Sequence, residues 1–297
     1  FAEGQGRRAG LAADALRADL KRRAMHALGV DLGGTKIEAM LLSAQGRELW
    51  RKRIATPAGD YAATLQAIAA LVAQAHDAGG APCSVGIGTP GSLTAEGVMK
   101  NANSQCLNGR PLQADLEAML GQSVRLTNDA NCLALSEATD GAGAGAAVVF
   151  AVILGTGTGA GIAVQGHVHS GPNGLAGEWG HNPLPWAVAG EDPLFDCYCG
   201  QRGCNETLLS GPGLAREHRH FGGEPWTAEQ IAGAAAQGDA ACQATLQRYA
   251  TRLARALAAV INLLDPDVVV LAGGLSRIEM LYEQVPRLWD RWVFSGG

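Results

Sequence analysis

The chain has 297 residues, 47% hydrophobic and 17% charged, which excludes disorder as its main state and supplies core for one large or two ordinary domains. With 23 Lys and Arg against 28 Asp and Glu the net charge is -5, so nucleic acid gains no general electrostatic attraction. No stretch reaches the roughly 18 consecutive apolar residues of a membrane helix, and even 146–164 is interrupted by Gly and Thr. A protein with neither nucleic-acid nor membrane partners is expected.

Residues 1–24 stand apart, with Leu11, Ala15, Leu16 and Leu20 spaced for a short helix from Leu11 to Arg22. Glu3, Asp14 and Asp19 count against a transit peptide, and the segment reads as a leader or extension without chemistry. An apolar strand at 27–30 then leads through Asp31-Leu32-Gly33-Gly34-Thr35-Lys36 into a second strand, Ile37 to Leu42, as in a buried hairpin. Leu65, Ile68, Ala69, Val72 and Ala73 predict a helix over 61–78. A strand at 85–88 ends at Thr89-Pro90-Gly91-Ser92, a polar loop fills 101–109, and a helix over 112–120 precedes a short strand at 124–126.

Asn128-Asp129-Ala130-Asn131 opens a helical stretch to Thr139, with side chains suited to capping. A strand at 147–154, the loop Gly155 to Gly161 and a return strand at 162–164 repeat the layout around Asp31, 124 positions later, which points to two related halves. The remainder holds a Gly-, Pro- and Trp-rich stretch over 171–193, a Cys cluster, a helix over 240–264 and a strand at 268–271 running into Ala272-Gly273-Gly274. Alternating strands and helices of these lengths predict an α/β protein with largely buried sheets, divided as 1–24, 25–127 and 128–297.

Three glycine-rich loops, Gly33-Gly34-Thr35-Lys36, Gly155 to Gly161 and Gly273-Gly274, each follow a buried strand. Glycine lets backbone N–H groups approach phosphate oxygens, and Thr35, Thr156 and Thr158 add hydroxyl donors, so a nucleotide site is expected. Neither P-loop nor dinucleotide spacing is met, because the first two loops return into strand. Asp31 closes an apolar strand, where a charge is costly without a cation or donors; a link to nucleotide Mg²⁺ would satisfy it. Asp129 reads either as a helix cap or as a base that stays ionised at the helix start.

Of seven Cys, Cys197, Cys199 and Cys204 fall within eight residues, a spacing for reduced thiolates around structural zinc and for a reducing, cytoplasmic setting. His181, His167, His169 and His218 compete for the fourth position. Glu178 and Glu206 flank the cluster and could be held by it over a polar ligand.

Asp31 to Lys36, Asn128 to Asn131, Leu154 to Gly161, Gly177-Glu178-Trp179-Gly180-His181 and Cys197 to Glu206 together resemble the ROK family of sugar kinases and sugar-responsive repressors, from Ala27 to Phe294. Lys100 to Ser104, Trp179 to Trp186 and Asn262-Leu263-Leu264-Asp265-Pro266-Asp267 look like the bacterial manno-fructokinases of that family. The resemblance implies two actin-like (ribonuclease H-like) ATPase domains with ATP and sugar in a cleft between them. It implies Asp129 as the general base, and Asn128, Asp129, Glu178, His181 and Glu206, with Asn103 and Ser104, as sugar ligands. His181 would join Cys197, Cys199 and Cys204 around zinc. Asp31, Gly33, Gly34, Thr35, Lys36, Gly155, Thr156, Gly157, Thr158, Gly159, Gly273 and Gly274 would hold ATP and Mg²⁺.

The implied reaction is phosphorylation of a hexose, fructose to fructose 6-phosphate first, with mannose, glucose and N-acetylglucosamine behind it, in a homodimer. Family kinases usually continue past the segment that here ends at Gly297, so a further C-terminal tail is expected. A sugar-sensing repressor competes in principle, but 24 residues ahead of the first strand do not supply a helix-turn-helix module.

Overall fold

The computed structural model describes residues 25–80, 83–102 and 104–294. The helix expected over 11–22 and the sugar contact expected of Asn103 lie outside the described residues. The chain divides into two compact units between Asp129 and Ala130.

In the first unit β1 (His26–Leu32) and β2 (Lys36–Leu42) form the expected antiparallel hairpin, with Asp31 opposite Glu38. Leu28, Val30 and Leu32 alternate inward on β1, as do Ile37, Ala39 and Leu41 on β2. β3 (Glu48–Ala55) pairs with β2 at the sheet edge. Its Arg51-Lys52-Arg53 run hides the alternation from a sequence reading, and charge of this kind suits an edge strand that must not recruit further strands. β4 (Cys83–Thr89) and β7 (Val124–Asn128) add in parallel, giving the order β3-β2-β1-β4-β7; a two-strand ladder, β5 (Ser92–Leu93) with β6 (Met99–Lys100), lies between them in sequence.

Helix α1 (Tyr61–Gly79) starts where the Asp60 side chain accepts the Ala63 N–H, and ends at Gly80 in the left-handed region. It buries Leu65, Ile68, Leu71, Val72 and Ala75, and α2 (Leu112–Leu120) adds Leu112 and Leu116 to the same core. Ile68 is fully buried in it.

Helix α3 (Asp129–Thr139) follows β7 without a loop. In the second unit β8 (Val148–Leu154) pairs antiparallel with β9 (Thr158–Val164) and parallel with β11 (Val268–Ala272), and β10 (His167–Val168) extends the sheet to β10-β9-β8-β11. This matches β3-β2-β1-β4, so the echo read from the glycine loops is a repeated topology. The loop expected over 155–161 is shorter, because Thr158 already pairs with Leu154 and Gly159 with Ile153. Thr158 and Gly159 are therefore strand residues.

Helices α4 (Glu206–Leu209), α5 (Gly211–His220), α6 (Ala228–Ala236), α7 (Ala240–Leu264) and α8 (Met280–Trp289) complete the second unit around Phe150, Val152, Leu209, Leu214, Tyr249 and Leu253. Inside it, Arg252 meets Asp192 at 2.7 Å and Glu217 at 2.8 Å, while Arg255 meets Asp192 at 2.8 Å. All four groups are buried, and mutual pairing is what makes that placement tolerable. Among the described residues no helix is long and apolar enough to cross a membrane.

Candidate active site

In the first unit the β1–β2 turn is fixed from both sides. The Gly33 N–H donates to the Lys36 carbonyl at 3.0 Å, the Thr56 hydroxyl donates to the Gly33 carbonyl at 2.7 Å, and the Thr56 N–H donates to Thr35 at 3.0 Å. Gly34, Thr35 and Lys36 are exposed. Gly34, Thr35, Thr56 and Ser104 border a cavity of about 470 Å³. Asp31, also exposed, is raised above the usual carboxylate range by desolvation and then by Glu38, against Lys36 and Arg53. Glu38 is neutralised by Arg53 and Arg51. The Asp31 carboxylate shows no hydrogen bond or ion pair among the described residues, so it suits a cation.

Asn128 ends β7 and donates from Nδ2 to the Gly91 carbonyl at 3.0 Å. Asp129 is the first residue of α3, where the positive end of the helix favours its ionised form.

In the second unit Gly155-Thr156-Gly157 is a tight turn. The Gly155 N–H donates to Gly157 at 3.0 Å and the Gly155 carbonyl accepts from Gly211 at 2.7 Å. Gly155, Thr156 and Gly274 line one cavity of about 1160 Å³ together with Ala232 on α6, Gln247 on α7 and Arg277. That volume is ample for a nucleotide. Gly273 adopts φ of 87°, and a Cβ there would sit 2.5 Å from the Leu154 carbonyl, so only glycine lets β11 turn against β8.

The segment Gly177 to His181 packs on β9. Gly177 has φ of 94°, and a Cβ on it would strike the Ala160 carbonyl. Trp179 is buried edge-on to Phe150 at 5.7 Å, and its carbonyl accepts from Asn205 Nδ2 at 2.9 Å. This anchor fixes Glu178 and His181 on either side of it in the chain.

His181, Cys197, Cys199 and Cys204 converge, their ligand atoms all within 4.8 Å of one another. Cys199 and Cys204 sulfurs are 3.6 Å apart, as are Cys197 Sγ and His181 Nδ1. Tetrahedral zinc with arms of ~2.3 Å to sulfur and ~2.1 Å to nitrogen has edges of ~3.8 and ~3.6 Å, which these two spacings approach, and the donor set of one imidazole and three thiols is one that zinc takes. Of the competing imidazoles, His218 is buried with Nδ1 at 2.8 Å from the Thr245 hydroxyl, and His167 lies on β10; His169 follows that strand, and none of the three joins the group. Burial and the neighbouring thiols push Cys204 up to about 12, and burial raises Cys197. Burial also acts to raise Cys199, but hydrogen bonds from Gln201 and the neighbouring thiols outweigh it and hold Cys199 low. Thiols this crowded do not all ionise without a cation among them.

Two contacts tie this cluster to its surroundings. Glu206, the first residue of α4, accepts the Thr158 N–H at 3.0 Å through Oε2, joining the cysteine loop to the turn at Gly157. The Tyr198 hydroxyl lies 3.1 Å from His181 Nε2, with the two rings edge-to-face at 5.2 Å. Desolvation first, then Glu206, Cys197, Glu178 and Cys199, push this phenol up to about 12. Tyr198 as a residue is 72% exposed, while its hydroxyl meets His181.

A sequence reading passes over Tyr198, because an aromatic residue between two Cys carries no spacing signal. It also passes over Gln243, Leu246 and Gln247, whose i, i+3, i+4 spacing places them on one face of α7 toward the larger cavity.

The model of the ROK family matches residues 27–297. The chain belongs to the ROK family. It is 42% identical over 272 residues, 90% of each chain, to the N-acetyl-D-glucosamine kinase of Vibrio cholerae serotype O1. Among solved structures it resembles the ROK hexokinase of Thermus thermophilus, with a TM-score of 0.79, 30% identity and coverage of 90% and 89% of the two chains. A ROK family glucokinase of Streptomyces griseus, solved with glucose and AMPPNP, follows at a TM-score of 0.72, 30% identity and coverage of 91% and 90%. The actin-like fold expected from the sequence is the fold of this ROK family chain. The fructokinase resemblance within the family is not shared by these relatives, whose names point to N-acetylglucosamine and glucose instead.

Proposed function

We propose that this ROK family protein is an ATP-dependent hexose kinase whose preferred acceptor is N-acetyl-D-glucosamine. The observation that carries the reaction class is the construction of the second unit. The turn at Gly155 to Gly157 lines a nucleotide-sized cavity on one side, and is tied through Glu206 to the loop bearing His181 and the three cysteines. The acceptor rests on the identity of 42% to a kinase of that name, and fructose becomes the alternative.

In this reading Asp129 takes the proton from the attacking hydroxyl, and Asn128, Glu178, His181 and Glu206 hold the neighbouring hydroxyls, with Ser104 as a further contact. Phosphate oxygens rest on backbone N–H groups of the turns at Gly33-Gly34-Thr35 and Gly155-Thr156-Gly157, with Lys36 near the first. Adenosine lies against Gly273-Gly274. Asp31 would hold Mg²⁺, which neutralises phosphate charge when bound. Zinc on His181, Cys197, Cys199 and Cys204 would keep the sugar-binding loop in place. Catalysis is then positioning and charge stabilisation, the terms on which phosphoryl transfer depends.

Coupled ADP release with MgATP across N-acetylglucosamine, glucose, mannose and fructose tests the proposal. The highest kcat/KM on N-acetylglucosamine supports it; a preference for fructose replaces the acceptor, and no turnover on any of the four defeats the kinase reading.

A further inference from the structure

The imidazole of the cluster, His181, is met on its far side by a residue set between two of the cysteines, Tyr198. His181 turns Nδ1 toward Cys197 Sγ at 3.6 Å. With that nitrogen's lone pair given to a metal, the ring proton resides on Nε2, which makes Nε2 a donor. The group it faces is the Tyr198 hydroxyl at 3.1 Å. One N–H has one strong acceptor direction, and Tyr198 occupies it. His181 is one of the residues assigned to sugar hydroxyls, so the phenol oxygen occupies a hydrogen-bonding position at that site.

We propose that the Tyr198 phenol stands in for a sugar hydroxyl at His181 Nε2 and gives way when the sugar binds, so that Tyr198 sets acceptor affinity by competition. This rests on the hexose-binding reading of the same residues. Three features favour displacement over permanent contact. The acceptor on the phenol and the acceptor on a sugar hydroxyl are chemically alike, so they compete for the same proton. Tyr198 is 72% exposed as a residue and belongs to none of the hydrophobic clusters, so rotating its side chain away opens no core cavity. Cys197 and Cys199 flank it in the chain, so the backbone stays anchored while the side chain moves.

A competing bond that exists only in the free protein has a distinctive signature. Removing it tightens every acceptor by the same factor, whereas removing a direct sugar contact weakens acceptors unequally. The experiment measures sugar dissociation constants without ATP by calorimetry, and KM and kcat with MgATP, for wild type, Tyr198→Phe and Tyr198→Ala. Zinc content is measured alongside. Both variants should retain zinc and hold kcat within about twofold. Each should lower Kd and KM by about 2- to 10-fold, uniformly across N-acetylglucosamine, glucose and mannose, the range for one hydrogen bond. Unchanged or raised KM in both zinc-loaded variants, with wild type active, overturns the role of Tyr198 and leaves the kinase reading standing. If neither wild type nor variants bind any sugar, both fall.

Discussion

Glu206 Oε2 accepts the Thr158 N–H at 3.0 Å, so one carboxylate fastens the cysteine loop to the second glycine turn. The same carboxylate lies where a Cβ on Gly157 would meet it at 2.8 Å, so the turn and the side chain are fitted to one another. Replacing Glu206 should therefore disturb two substrates at once. Glu206→Ala is expected to raise KM for sugar and for ATP together, each by about 10-fold or more, the loss expected for hydrogen bonds to a charged group. Glu206→Gln keeps the amide contact and should spare ATP more than sugar. Initial rates with each substrate varied in turn check this; an effect on sugar alone would show that the turn holds its shape unaided.

Asp129 heads α3, where the positive helix end favours the ionised carboxylate that the proposed base requires. Asp129→Asn preserves size and the capacity to cap. It should lower kcat about 10²- to 10⁴-fold with ATP affinity and melting temperature unchanged. A matching loss of stability with modest loss of rate would return Asp129 to a capping role.

Cys199→Ser removes one of the four proposed zinc ligands, whose Cys199–Cys204 and Cys197–His181 spacings are both 3.6 Å. The variant should lose bound zinc, melt at lower temperature and lose sugar turnover together, because metal affinity and the order of residues 177–206 are linked. Elemental analysis of purified protein with a thermal melt reads both effects. Wild type purified without zinc and with full activity would remove the metal from the scheme.

Much of this architecture is legible in the sequence, and the exceptions have physical causes. The hairpins around Gly33 and Gly155, helix α1 and helix α7 stand out because burial on one face imposes period 2 or 3.6 on their apolar residues. Edge strand β3 escaped because Arg51, Lys52 and Arg53 are outward-facing or charged regardless of pleat. Helix α6 escaped because its Ala-rich run shows no contrast between faces until Ile231 is seen in the core. The metal ligands were readable as spacing, but choosing His181 over His167, His169 and His218 needed either the family resemblance or three-dimensional proximity. Tyr198 was unreadable because its role comes from where one hydroxyl points.

The buried network of Asp192 with Arg252 and Arg255 fixes how stability should vary with acid. Burial alone would raise the Asp192 carboxyl, but hydrogen bonds from Arg255, the Val188 N–H and Arg252 outweigh it and hold it below its ordinary value of 3.8. A group with a depressed folded pKa contributes its stabilisation in full above the unfolded value and loses it as pH falls through the folded value. Stability should thus be insensitive to this carboxyl above about pH 5 and fall on acidification below the ordinary carboxylate range. Asp192→Ala leaves two buried guanidinium groups short of a partner and should cost about 3–5 kcal/mol at neutral pH. Denaturant unfolding of wild type and variant at neutral and acidic pH tests both statements, with the gap between the two proteins narrowing as wild type loses the Asp192 charge.

Filling the larger cavity should separate nucleotide from sugar. Ala232 on α6 lines it beside Gln247 and Arg277, and is only partly buried, so a larger side chain can project into the space without rebuilding the core. Ala232→Trp is expected to raise KM for ATP at least about 10-fold while leaving sugar binding without nucleotide unchanged, since excluding a ligand from part of its seat forfeits contacts worth more than 1.4 kcal/mol. Calorimetric titration with a nonhydrolysable ATP analogue, then with sugar, measures the two separately. Equal loss of both would mean that α6 shapes the sugar loop as well, whereas unchanged ATP affinity would place the nucleotide outside this cavity.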